Sequence, residues 1–123
     1  MNTGLWIAQA ILSVAFLYSG INKAFLPKEK VIAKGQTGVV DIPRPGVKWI
    51  GISEILGSIG IIIPLALGVF PILTPITALC FAAIMMMAAP IHYRLHEPRN
   101  VVTNIFLLVL ALAVAWFRFK ERL

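Results

Sequence analysis

The chain has 123 residues, of which 59% are hydrophobic and only 13% charged, with a mean hydropathy of +0.90. Soluble domains run near 45–50% apolar and about 25% charged, so the surplus must face lipid and a water-soluble enzyme is excluded. Eleven Lys and Arg against five Asp and Glu leave a formal charge of +6, but basic residues beside apolar spans set membrane orientation, and no nucleic-acid partner follows.

The first apolar run, Gly4 to Phe25, is long enough to cross a bilayer as a helix and too long for a signal-peptide core, so it is expected to stay as the first span. Asn22 and Lys23 stand in its last turn. The connection from Leu26 to Gly46 is long and rich in proline and glycine. Within it, Lys28 to Lys34 reads as a short amphipathic helix with Val31 and Ile32 between lysines, expected at the headgroup level.

The second span, Val47 to Leu67, contains Glu54. A tight uncharged turn, Gly68 to Pro71, predicts a hairpin with the third span, Ile72 to Tyr93, near whose end stands His92. The fourth span, Val101 to Phe117, has Asn104 just inside its start. The pattern is an all-α membrane protein: residues 1–123 form a single four-transmembrane-helix bundle with a long amphipathic first loop. No repeat and no second domain is visible.

Folding four spans up and down places Lys23, Lys28, Lys30, Lys34, Arg44, Lys48, Arg94 and Arg99 on one side, and Arg118, Lys120 and Arg122 on the other. This asymmetry predicts charged loops toward the cytoplasm and both termini outside, in a bacterial cytoplasmic membrane. Trp6 and Trp116 mark one interface, Trp49 and Tyr93 the other.

The polar residues inside the spans gather at one end. Glu54 falls about seven residues into the second span, roughly 10 Å below the surface where Asn22, Lys23, His92 and Asn104 also lie. Ala15, Ser19 and Lys23 on the first span, Gly51, Glu54 and Ser58 on the second, and Asn104, Leu108 and Ala111 on the fourth follow helical spacing, predicting inward faces. A carboxyl group in hydrocarbon costs several kcal/mol unless neutral, paired or hydrated. Lys23 is its obvious partner. One reading is a pair that only locks two helices together; the other is a polar pocket that grips a head group or passes protons.

His92 and His96 are four apart and would reach a metal with Glu54 or Glu97, but a helix C-terminus and a wet interface explain them more simply, and no metal site is expected. Pro98 argues that His96 has already left the helix. Pro90, the run Met85 to Met87 and His92 would together shape an adaptable apolar wall, although proline and methionine are common in membrane helices. A single cysteine, Cys80, excludes an internal disulfide or a CxxC pair. It is expected to be a packing residue.

Leu17-Tyr18-Ser19-Gly20-Ile21-Asn22-Lys23 resembles the small-glycine-x-x-lysine end of helix one, and Gly51-Ile52-Ser53-Glu54-Ile55-Leu56-Gly57-Ser58-Ile59-Gly60, followed by Pro64, resembles the glutamate-between-glycines motif on helix two, of the DoxX and DoxX-like family of small four-helix membrane proteins. Leu73-Thr74-Pro75, His92 and the Asn-containing start of the fourth span also fit. The resemblance implies the four-helix fold. For function it implies several roles: a small subunit of a thiosulfate:quinone oxidoreductase, a member of membrane complexes handling oxidative stress, or, among eukaryotic relatives, an assembly factor for other membrane proteins.

Two expectations from different classes follow. In the first, the chain is an accessory or binding subunit, at most part of a quinone-linked membrane oxidoreductase, in which Lys23, Glu54, His92, Asn104 and Asn22 hold the head of a lipophilic molecule such as a quinone. In the second, it is an interaction or assembly protein for other membrane proteins, and the polar cluster is purely structural. Either allows a membrane-protein partner or a homo-oligomer in the bilayer. Proton-coupled transport is disfavoured because Glu54 lies near one face rather than at mid-membrane.

Overall fold

The computed structural model describes residues 2–122. Helix α1 runs over Asn2–Phe25, α2 over Lys28–Ala33, α3 over Arg44–Gly60, α4 over Ile63–Leu67, α5 over Leu73–Arg94 and α6 over Pro98–Arg122. A short 3₁₀ turn, Thr37–Val39, lies in the first loop. Four segments are long and apolar enough to cross a membrane: Asn2–Phe25, Arg44–Leu67, Leu73–Arg94 and Pro98–Glu121. The protein is therefore an all-helical membrane protein. Helix α6 extends past the span 101–117 expected from hydropathy at both ends, from Pro98 to Arg122.

The second span is not one continuous helix. Pro64 cannot donate to the carbonyl of Gly60, and α3 gives way at Ile61 and Ile62 before α4 begins. The carbonyls loosened by this break find side-chain partners. Gln9 Nε2 donates to the Ile61 carbonyl at 2.7 Å and Thr74 Oγ1 at 3.3 Å. Ile62 N–H turns to Ile59, and the Ser58 carbonyl accepts from Ser13 Oγ at 2.8 Å. Buried carbonyls in lipid need such partners.

The closest helix pairs are α1 with α3 and α5 with α6. The turn at Gly68 does return the chain, but α3 and α5 touch far less than the predicted hairpin implies. Side-chain size explains the difference. At the α1–α3 crossing, a Cβ on Gly20 would fall 2.6 Å from the Gly51 carbonyl oxygen, so only glycine permits this approach. Between α3 and α5, by contrast, the Phe81 ring lies over Gly57 and holds the backbones apart.

Phe81 also stacks on Phe16 at a centroid distance of 3.8 Å, and both are essentially unexposed. With Leu12, Ile61, Ala78 and Val114 they form a dry core that separates two polar layers. The amphipathic α2 forms as expected, after Pro27 and before Gly35 at φ 94°. Its apolar residue Val31, however, packs against Val39 and Val47 of the protein. Cys80 faces outward instead of packing.

Candidate functional site

At the end of the bundle that carries the charged loops, α1, α5 and α6, with Ile50 of α3 and the first loop, line a cavity of about 410 Å³. Its wall is mainly apolar. Ala15, Ile50, Ile84 and Leu107 contribute hydrocarbon, while Ser19, Lys23, His92 and Asn104 bring polar atoms to it. Tyr18 and Met87 line the cavity yet stay exposed on the outer surface. Each lies seven residues from its helix end, roughly 10 Å deep at 1.5 Å per residue. Gly35 and Thr103, also on the wall, are exposed at the loop end, so the cavity reaches the surface both there and along the side of the bundle.

Lys23 Nζ donates to Glu54 Oε1 at 3.0 Å, and Ser19 Oγ donates to the same oxygen at 3.0 Å. Glu54 is 1% exposed and lies behind these two residues rather than on the cavity wall. The pair thus ties α1 to α3 and leaves the lysine as the group nearest the cavity. Asn22 is buried with its Nδ2 unpartnered among the described residues, but it too is off the wall. Asn104 lies on it, 8% exposed, and its Nδ2 likewise has no partner among the described residues.

His92 reaches the cavity from the end of α5, but its Nδ1 is engaged elsewhere. Nδ1 lies 2.8 Å from Glu97 Oε1 and 3.3 Å from Thr37 Oγ1. Thr37 Oγ1 itself donates to Glu97. On the other side of the ring, a Cβ on Gly38 would stand 3.3 Å from Nε2. His92 is therefore a clamp that holds the first loop over the cavity. Asn100 adds to the clamp, donating to the Gly35 carbonyl at 3.4 Å and to Glu97 at 3.3 Å. The Thr37 and His92 hydrogen bonds lower the pKa of Glu97 below the usual carboxylate value.

The remaining histidine leaves the site. His96 has φ 59° beyond the end of α5, and among the described residues no three His, Cys, Asp or Glu side chains converge as metal ligands. The five residues singled out in the sequence thus separate: Lys23, His92 and Asn104 share the cavity, and Glu54 and Asn22 do not.

A family profile described as the DoxX-like family matches residues 7–114. The chain belongs to the DoxX-like family. No curated protein and no solved structure matches it. In this DoxX-like protein Gly20 and Gly51 set the α1–α3 approach, and Lys23 and Glu54 form the pair beside it.

Two groups of residues could not be picked out by spacing alone. Gln36 and Asn100 reach the cavity from a loop and a helix start, where no periodicity marks an inward face. At the opposite end, Arg118 is only 3% exposed: its Nε donates to Gln9 Oε1 at 2.9 Å, and its Nη1 to Asn2 at 2.7 Å and to Glu121 at 2.9 Å. The guanidinium also lies 5.3 Å from the Trp6 ring centroid. Of these residues only Gln9 is marked by spacing, four residues before Ser13 on the α3-facing stripe of α1.

Proposed function

We propose that this DoxX-like protein is a binding or accessory subunit that holds a lipophilic small molecule, such as a quinone, by its polar head, in service of a membrane redox process. The observation that carries this reading is a mainly apolar cavity that reaches the outer surface of the bundle at Tyr18 and Met87 and bears a few converging polar groups. Ligand sites have this character. A molecule dissolved in the bilayer would reach it sideways, past Tyr18 and Met87, without crossing water.

In this reading Lys23 presents positive charge to the head, and Asn104 Nδ2 donates a hydrogen bond to it. Glu54 orients Lys23 from behind, and His92 keeps the first loop closed over the head. Asn22 helps to pack the end of α1. The eight basic residues on the loop side support an orientation with that loop toward the cytoplasm and both termini outside. The membrane would be a bacterial cytoplasmic membrane, and a redox partner protein or a second copy would act beside the chain.

A photoreactive quinone analogue tests the reading. Labelling should be saturable, fall on peptides of α1, α5 and α6 around the cavity, and be displaced by excess unlabelled quinone. Labelling spread evenly over the lipid-facing surface would refute it, and would favour the alternative of an assembly factor with a purely structural polar cluster.

A further inference from the structure

The turn between α5 and α6 forms a groove of about 720 Å³, lined by Tyr93, Arg94 and His96 of α5 and the turn and by Pro98, Val101 and Val102 of α6. A smaller hollow lined by Arg99 shares Pro98 and Val102 with it, so the two run together along the first turns of α6. Arg94 and Arg99 are exposed, and neither is in an ion pair among the described residues. The carboxylate on the same wall, Glu97, already accepts hydrogen bonds from Thr37 and Asn100 and lies against His92. Positive charge is therefore in excess in the groove.

From this charged end the surface of α6 turns apolar. Val102, Ile105, Val109 and Leu112 recur at steps of three and four residues and are all exposed, which puts them on one face of the helix. The track they form is roughly 15 Å long at 1.5 Å per residue, about half the thickness of a bilayer core. Tyr93, exposed beside the groove, has the ring type favoured at the membrane interface. Unpaired arginines at headgroup level above a hydrocarbon track complement an amphiphile with an anionic head and a fatty chain.

We propose that this groove binds an anionic phospholipid of the adjoining leaflet, its phosphate held by Arg94 and Arg99 and one acyl chain laid along Val102, Ile105 and Val109. Arginine suits the task because its planar fork can take two phosphate oxygens at once. The site does not depend on what occupies the cavity, although the Arg99 hollow meets the cavity at Thr103. The lipid stands beside the loop-end mouth of that cavity.

The test is native mass spectrometry of the full chain in mild detergent, titrated with phosphatidylglycerol and with phosphatidylcholine of the same acyl chains. One phosphatidylglycerol per chain should be retained, about 10-fold more tightly than the choline lipid. Arg94→Gln with Arg99→Gln should bring the two lipids to within about 2-fold. Arg44→Gln with Lys48→Gln removes the same charge from the same end of the bundle but outside the groove, and should keep the preference. All four side chains are exposed, so folding does not confound the comparison. Equal binding of the two lipids to the unaltered protein, a preference that survives the paired arginine substitutions, or one that falls as far in the Arg44 and Lys48 pair overturns the inference.

Discussion

Lys23 Nζ lies 3.0 Å from Glu54 Oε1, where the lysine is 13% exposed and the carboxylate 1%. The asymmetry decides which substitution harms the protein more. Lys23→Met strands a carboxylate with no access to water, at a cost of about 3–5 kcal/mol. Glu54→Gln leaves an ammonium that can turn into the cavity. Thermal unfolding in detergent should therefore rank Lys23→Met below Glu54→Gln, with the double variant recovering part of the loss. Equal melting of all three would remove the pair from the account of stability.

The α1–α3 crossing depends on two glycines. A Cβ at Gly51 would lie 2.5 Å from the Ala24 backbone nitrogen, and one at Gly20 would meet backbone too, whereas Gly4 has nothing within 4 Å. Gly20→Ala and Gly51→Ala should each cost about 1–3 kcal/mol by overpacking, and Gly4→Ala should change the melting temperature little.

At the terminal end, Gln9 bridges Arg118 and the open carbonyl of Ile61. Gln9→Leu takes one partner from each, leaving Thr74 on Ile61 and Asn2 and Glu121 on Arg118, for a loss of about 1–3 kcal/mol. Because the Phe16–Phe81 stack separates this layer from the cavity, ligand retention at temperatures below unfolding should be unaffected.

The clamp on the first loop should respond to acid. Glu97 titrates below its ordinary value of 4.5, chiefly because of the Thr37 hydrogen bond and then that of His92. A carboxyl group lowered on folding stabilises above its unfolded pKa, and the contribution is lost as pH falls through the folded one. Protection of residues 35–42 against hydrogen exchange, relative to the intrinsic rate at each pH, should thus be full at neutral pH and be lost in acid, below the ordinary carboxylate range. Thr37→Val should shift that transition upward, and Glu97→Gln should abolish it.

Much of this was legible in the sequence. The four spans were, because long apolar runs can satisfy their backbones in lipid only as helices. The shared depth of Lys23, Glu54, His92 and Asn104 followed from counting residues along antiparallel helices. What counting does not give is rotation at the helix ends, which puts Lys23 on the cavity wall and Glu54 behind it. Nor does it show that His92 Nδ1 would be taken up by Glu97, five residues on across a left-handed turn. Pro64 was visible as a lost hydrogen bond, but its consequence, a break that recruits Gln9, Ser13 and Thr74, depends on tertiary neighbours. Arg118 read as a surface charge because it stands near the end of the last helix, and only its partners on α1 reveal it as buried.

The most direct measurement is mass spectrometry of small molecules that co-purify with the protein in mild detergent, unaltered beside Asn104→Leu, with melting temperatures for both. Replacing an unpartnered buried amide with a similar-sized apolar group should leave the fold as stable or more so. A lipophilic compound with an oxygenated head should accompany the unaltered protein and be absent from the variant. A compound retained equally by both, or an unaltered protein carrying only bulk phospholipid, would contradict the assignment of the cavity as a binding site.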